Sequence, residues 1–201
     1  MAPRDGRCKV NMKDISLIGF MGCGKSSVGK ILATRLPECR LIDLDTYIEE
    51  KQGKNIPEIF NEYGEAAFRR MEREALEEIF SDKSRPRAIL SLGGGTVTSE
   101  QCRQLIRQHT DCFYLRATTD TLLDNLEGHS DGRPMLNPTQ PVEAQSTETS
   151  SEREALRHRI ESLMQTRSPQ YIATAHHIID IDGLSFTQIA EAVEDNILNI
   201  K

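Results

Sequence analysis

The chain alternates short, densely apolar runs with stretches whose apolar residues recur every three or four positions. Ile15-Ser16-Leu17-Ile18 reads as a buried strand. After Lys25, the residues Val28, Ile31, Leu32 and Leu36 fall on one face of a helix. Leu41-Ile42 is a second short strand, and a helix-rich segment follows over about 45–80, with Gly53 and Gly64 as its breaks. Ala88-Ile89-Leu90-Ser91-Leu92 is a third strand that stops at Gly93-Gly94-Gly95. Thr98 or Ser99 then caps a helix with Cys102, Leu105 and Ile106 inward. Cys112-Phe113-Tyr114-Leu115 and His177-Ile178-Ile179-Asp180-Ile181 are the fourth and fifth strands. Ser185 caps a last helix carrying Ile189, Val193 and Ile197. Strands alternating with helices predict βαβ units and a mainly parallel sheet covered on both faces.

One segment breaks the pattern. Residues 137–152 are polar, with two prolines and almost no large apolar side chains. A stretch like this inside a domain is either a tolerated surface insertion or an active-site lid. The 201 residues suit one domain, with the polar residues 1–12 set aside as a tail and 13–201 as the folded unit.

Charge narrows the function. Lys and Arg total 25 against 31 Asp and Glu, a net charge of -6. That balance argues against a nucleic-acid partner. No apolar run approaches the ~18–20 residues that span a bilayer, so no membrane role is expected. The five cysteines are odd in number, irregularly spaced and without a CxxC pair, and the N-terminus lacks a secretory apolar core. A reducing, cytoplasmic setting is expected. An acidic chain can still hold a small anion in a local basic cluster.

Gly19-Phe20-Met21-Gly22-Cys23-Gly24-Lys25-Ser26 fits G-x-x-x-x-G-K-[ST], between a strand and a helix. Glycines there let backbone N–H groups turn inward as an anion nest. The helix N-terminus adds partial positive charge. This assigns Gly22, Cys23, Gly24, Lys25, Ser26 and Ser27 to the phosphates of a nucleoside triphosphate. Lys25 reaches the β/γ-phosphates, the Ser26 hydroxyl ligates magnesium, and Ser27 offers a hydroxyl near the α-phosphate. The motif says nothing of the acceptor.

Asp43-Leu44-Asp45 closes the second strand, where open α/β sheets bind ligands. Asp43 is placed to hold a magnesium-bound water, and Asp45 to accept a hydrogen bond from an attacking hydroxyl. Gly64-Glu65-Ala66-Ala67-Phe68-Arg69-Arg70-Met71-Glu72 sets an arginine on a helix, with Glu72 one turn on as a possible orienter. Gly93-Gly94-Gly95 bares backbone N–H groups. Gly132-Arg133-Pro134-Met135-Leu136 and Arg167-Ser168-Pro169-Gln170-Tyr171 supply arginines on either side of the polar segment.

Together these motifs resemble the shikimate kinase family, over nearly the whole chain from about residue 14. The family pattern is a P-loop, D-x-D, G-E-x-x-F-R-x-x-E, a G-G-G run, R-P-L-L and a later Arg before a Tyr. All occur here in order, with Met135 in place of one Leu. The resemblance implies a nucleoside-monophosphate-kinase-like P-loop fold with a five-stranded parallel sheet, flanking helices and a lid. It implies an acceptor-binding segment at about 45–80 and a lid at about 128–152. The implied reaction is ATP-dependent phosphorylation of the 3-hydroxyl of shikimate, in chorismate biosynthesis. Asp45 would bind the ring hydroxyls, Arg69 and Arg167 would grip the carboxylate, and Gly94 would donate a backbone N–H. Two guanidiniums suit one carboxylate because each is a planar bidentate fork. Lys25, Asp45 and Arg133 would be the catalytic set, with Arg133 swinging from the lid onto the transferring phosphates. ATP and Mg2+, the latter through Ser26 and, via water, Asp43, complete the expectation.

Two departures stand out. The stretch Leu122-Leu123-Asp124-Asn125-Leu126-Glu127 holds no Arg where family members often carry one on adenine, so the adenine contact has no assigned residue. The span between Arg133 and Arg167 is long, and Arg153, Arg157 and Arg159 compete for roles there. A monomer is expected. Another P-loop kinase for sugar acids or nucleotides is the nearest rival reading. A non-catalytic nucleotide-binding module is the more distant one.

Overall fold

In the computed structural model, residues 13–127 and 148–199 are described. Five strands pair in parallel throughout: β1 (Asp14–Ile18), β2 (Cys39–Asp43), β3 (Arg87–Ser91), β4 (Thr110–Arg116) and β5 (His177–Asp180). Their spatial order is β2-β3-β1-β4-β5. Helices α1 (Lys25–Arg35), α2 (Leu44–Gln52), α3 (Ile56–Ser81), α4 (Glu100–His109), α5 (Thr119–Leu126), α6 (Glu148–Thr174) and α7 (Phe186–Asn199) connect and cover them.

The strands are apolar on consecutive positions because each face has its own core. Ile15, Leu17, Ile89, Phe113 and Leu115 meet Val28 and Leu32 of α1 and Ile189 and Val193 of α7. Ala88, Leu90, Cys112 and Tyr114 meet Leu44 of α2, Leu76 and Ile79 of α3, and Ile106 of α4. Full burial of each large aliphatic side chain contributes roughly 1.5–3 kcal/mol. Among the few buried polar strand residues, Ser16 is fully buried and hydrogen-bonds the Thr110 hydroxyl at 2.7 Å. Thr110 in turn donates to the Ile106 carbonyl, so no donor is stranded.

Local signals end the helices where the sequence suggests. Gly53 (φ 63) closes α2 and Gly64 (φ 76) bends α3. Asn55 and Glu58 form a capping box at the start of α3. Ser99, rather than Thr98, caps α4 by accepting from the Cys102 N–H. The Ser185 hydroxyl accepts from the Gln188 N–H at the start of α7.

One expectation needs correction. Residues 148–152, read as the end of a polar loop, begin α6. The physical reason lies further on. Leu156, Ile160 and Leu163 recur at helical spacing and pack on the core, and the helix they anchor extends back through the polar residues. The expected tail 1–12, the remainder of the expected lid, Cys8 and Arg133 lie outside the described residues.

Candidate active site

The carboxyl ends of β1, β2 and β3 carry, in turn, the P-loop, Asp43 with Asp45, and the glycine run. A cleft of about 390 Å³ opens over them. Gly22, Gly24, Lys25, Ser26 and Ser27 line one side, and Asp43, Asp45, Ser91 and Gly94 the other. The loop needs glycine for a specific reason at Gly24. Its φ is 86°, and a Cβ there would sit 2.5 Å from the Phe186 ring.

Lys25 is only 8% exposed and donates to the carbonyls of Gly19 (2.9 Å) and Phe20 (3.0 Å). Cys23 is fully buried and faces the protein, its Sγ 3.7 Å from Lys25 Nζ. The Ser26 hydroxyl donates to Asp43 Oδ2 at 2.7 Å and lies 3.1 Å from the Ser91 hydroxyl. Asp43 also caps α2, with Oδ1 accepting from the Thr46 N–H. This group of hard oxygens suits magnesium, which binds through one or two protein oxygens plus substrate phosphates. Among the described residues, no set of three or more His, Cys, Asp or Glu could hold a metal unaided.

Asp45 follows Asp43 on the first turn of α2 and is half-buried. Burial first, then the charges of Glu72 and Asp43, push its carboxyl up to about 7, against the pull of Lys25. Gly93 stands between the two acids. A Cβ there would lie 2.9 Å from Glu72 Oε1 and 3.0 Å from Asp45 Oδ1.

Glu72 is fully buried on α3. It accepts from Arg69 Nη1 at 2.7 Å and from the Thr96 hydroxyl. Burial raises its pKa despite those partners. Arg69 also donates to Glu65 at 2.9 Å. Burial works against the Arg69 charge, but Glu72 and Glu65 outweigh it and its pKa rises. Arg167, on α6, is 2% exposed and stands 5.8 Å from the Phe20 ring centroid. Burial first lowers its pKa, and the Arg69 charge adds to the effect. Arg69 Nε and Arg167 Nη1 are buried without a hydrogen-bond partner. Stranded guanidinium donors are costly, so both arginines are held here against a desolvation penalty.

The glycine run joins the two halves. A Cβ on Gly94 would meet the P-loop at Met21 N (3.1 Å), and one on Gly95 would meet Arg69 Nη2 at 2.2 Å. Tyr171, stacked on Tyr114, donates to the Gly94 carbonyl at 2.5 Å. The structure thus gathers Lys25, Ser26, Asp43, Asp45 and Gly94 at the cleft, with Arg69 behind Gly95. Arg167 does not line the cleft itself.

Sequence reasoning missed Ser91, Thr96, Asn125 and Phe186. Asn125 donates to the Gly22 carbonyl at 2.9 Å, and both Asn125 and Phe186 line the cleft. Phe186 is 45% exposed, a large apolar ring with an open face beside the P-loop. The sequence offers no signal for this, because Phe186 opens an ordinary capped helix.

A parallel sheet of this order with a P-loop at β1 and acids at β2 defines a P-loop kinase of the nucleoside-monophosphate-kinase type. The family model described as shikimate kinase matches residues 21–197. A shikimate kinase of Thermus thermophilus is 34% identical over 183 residues, covering 91% of this chain and 89% of that protein. One from Chlorobaculum tepidum is 40% identical over 158 residues, covering 79% and 76%. The solved shikimate kinase of Acinetobacter baumannii in complex with shikimate superposes with a TM-score of 0.81 at 29% identity, covering 94% of this chain and 95% of that one. The chain belongs to the shikimate kinase family.

Proposed function

We propose a division of labour among these residues in ATP-dependent phosphorylation of the 3-hydroxyl of shikimate, the reaction of this family, which serves aromatic amino acid biosynthesis. The observation that carries the acceptor assignment is the closeness of two cations: the Arg69 charge acts on Arg167, and Arg69 lies against Gly95 of the glycine run. Two neighbouring guanidiniums suit a carboxylate.

ATP phosphates bind the P-loop N–H groups, with Lys25 turning from the Gly19 and Phe20 carbonyls toward the β/γ-phosphates. Ser27 serves the α-phosphate side. Cys23 contributes its backbone, since its thiol is packed inward. Ser26 and, through water, Asp43 would hold Mg2+, which when bound neutralises phosphate charge. Asp45 orients the ring hydroxyls and accepts the proton of the attacking one; its raised pKa suits a group that exchanges a proton near neutrality. Arg69, anchored on Glu72, and Arg167 hold the carboxylate. Gly94 presents its N–H to the substrate. Arg133 is assigned to the transferring phosphates on the strength of the R-P-M-L motif alone. Positioning and charge neutralisation supply most of the acceleration in such transfers.

The protein works as a cytoplasmic monomer without nucleic-acid or membrane partners in this reading. In support, Cys23, Cys39, Cys102 and Cys112 are free thiols in the core. No described helix is long and apolar enough to cross a membrane. The domain reading, a tail over 1–12 and one unit over 13–201, stands as part of the proposal.

ADP release measured with shikimate, gluconate and nucleoside monophosphates tests the assignment. Turnover with shikimate alone, abolished by EDTA and restored by Mg2+, is expected. Turnover with the other acceptors instead would overturn it.

A further inference from the structure

The three carbonyls of the glycine run each have a donor, but not of one kind. Gly93 accepts from the Thr96 N–H at 3.1 Å and Gly95 from the Thr98 N–H at 2.9 Å. Both bonds are local to the turn Thr96–Thr98. The middle carbonyl, on Gly94, takes its donor from another element. It accepts from the Tyr171 hydroxyl on α6, at 2.5 Å and 77 positions along the chain.

A peptide between two glycines has no Cβ on either side to hold it, so its partners set its plane. Tyr171 is built to hold this one. Its side chain is fully buried, and its ring stacks on Tyr114 of β4 with centroids 4.9 Å apart. Burial, first among the causes, holds the phenol above its ordinary pKa, so it stays a donor at neutral pH.

Both halves of the acceptor site meet at this hydroxyl. Arg167 lies one helical turn before Tyr171 on α6, and its guanidinium interacts with the phenol. On the far side of the Gly94–Gly95 peptide stands Arg69, since a Cβ on Gly95 would lie 2.2 Å from its Nη2. Gly94 itself is seated on the P-loop, where a Cβ would lie 3.1 Å from Met21 N. Helix α6 also packs on the turn that follows the run. One buried hydroxyl therefore ties the helix that carries one guanidinium to the peptide that abuts the other.

We propose that Tyr171 is a positioning residue for the acceptor. Through Gly94 and Arg167 it sets the spacing of the two arginines and the angle at which the Gly94 N–H meets the cleft. This rests on the reading in which Arg69, Arg167 and Gly94 hold shikimate. Packing needs only the ring of Tyr171, whereas positioning needs its hydroxyl.

Tyr171→Phe separates the two, because phenylalanine keeps the stack on Tyr114 and with it the fold. The shikimate KM should rise about fivefold or more, with kcat and the ATP KM within about twofold of wild type. The preference for shikimate over its methyl ester should fall in the same variant. Ser16→Ala controls for lost stability, since it removes a buried hydrogen bond to Thr110 on the central strand. It should lower the Tm and move neither KM. A Tyr171→Phe enzyme that behaves like Ser16→Ala, or in which both KM values rise together, would overturn the proposal. Arg167→Lys tells that result from a failure of the underlying reading. A raised shikimate KM in Arg167→Lys beside an unchanged one in Tyr171→Phe would overturn the role of the hydroxyl alone. An unchanged shikimate KM in Arg167→Lys would remove the carboxylate grip, and the role of Tyr171 with it.

Discussion

Arg69 rests on Glu72, Nη1 to Oε2 at 2.7 Å, one helical turn apart, and the carboxylate beneath is wholly buried. Glu72 therefore acts through Arg69 and sets where the guanidinium sits. Glu72→Gln keeps an acceptor but removes the counter-charge. The shikimate KM should rise about tenfold with the ATP KM within about twofold, since the P-loop is untouched. Removing one partner of a buried ion pair costs ~3–5 kcal/mol at the extreme. Glutamine retains a hydrogen bond, so the fall in Tm should be smaller than for Glu72→Ala. Steady-state kinetics and thermal melts check both parts.

Asp45 carries a pH signature. Its folded pKa is pushed up to about 7, above the ordinary carboxylate value. Between the unfolded pKa near 4 and 7, the folded chain holds a proton that the unfolded chain has released. Stability from this group is thus full at low pH and lost as pH rises through 7. Asp45→Asn should raise the Tm of the unliganded protein at pH 8 by several degrees and change it little at pH 4, relative to wild type. The same variant should lose ~10²–10⁴ in turnover. A carboxyl 13C titration of wild type with a midpoint near 4 would remove the pH argument.

Gly95 owes its identity to Arg69. A Cβ would stand 2.2 Å from Nη2, so Gly95→Ala must push the guanidinium off Glu72. Because the obstacle is the tip of a side chain, the fold should survive. A several-fold rise in shikimate KM with an unshifted melt is expected. An unchanged KM would separate Arg69 from the substrate.

Phe186 gives the nucleotide side its own test. Its ring lines the cleft beside Gly24 with 45% of its surface open. Base–aromatic stacking is worth ~1–3 kcal/mol. Phe186→Ala should raise the ATP KM about tenfold and leave the shikimate KM nearly unchanged. Equal effects on both substrates would assign the ring to packing alone.

Motifs made half of this site legible. The P-loop, Asp43, Asp45 and the glycine run stand at strand ends, and a strand end can be read from one stretch of chain. Other partnerships depend on register. Ser26 meets Ser91 through the pairing of β1 with β3, and Tyr171 meets Gly94 where α6 packs on Tyr114 of β4. Helix α6 escaped notice for a local reason. It opens on polar residues and contains Pro169, a residue that ordinarily signals a break. The acidic net charge is compatible with the proposed anion binding because Lys25 and Arg167 are buried, and Arg69, nearly so, is held by Glu72 and Glu65.

The carboxylate grip is the centre of the account, and one comparison addresses it directly. The kcat/KM for shikimate is measured against that for its methyl ester, in wild type and in Arg69→Ala. If Arg69 holds the carboxylate, the ester should lose roughly 10²-fold or more in wild type, the scale of a desolvated charge-assisted pair. In Arg69→Ala most of that preference should vanish. An equal preference for the free acid in both proteins would contradict the assignment.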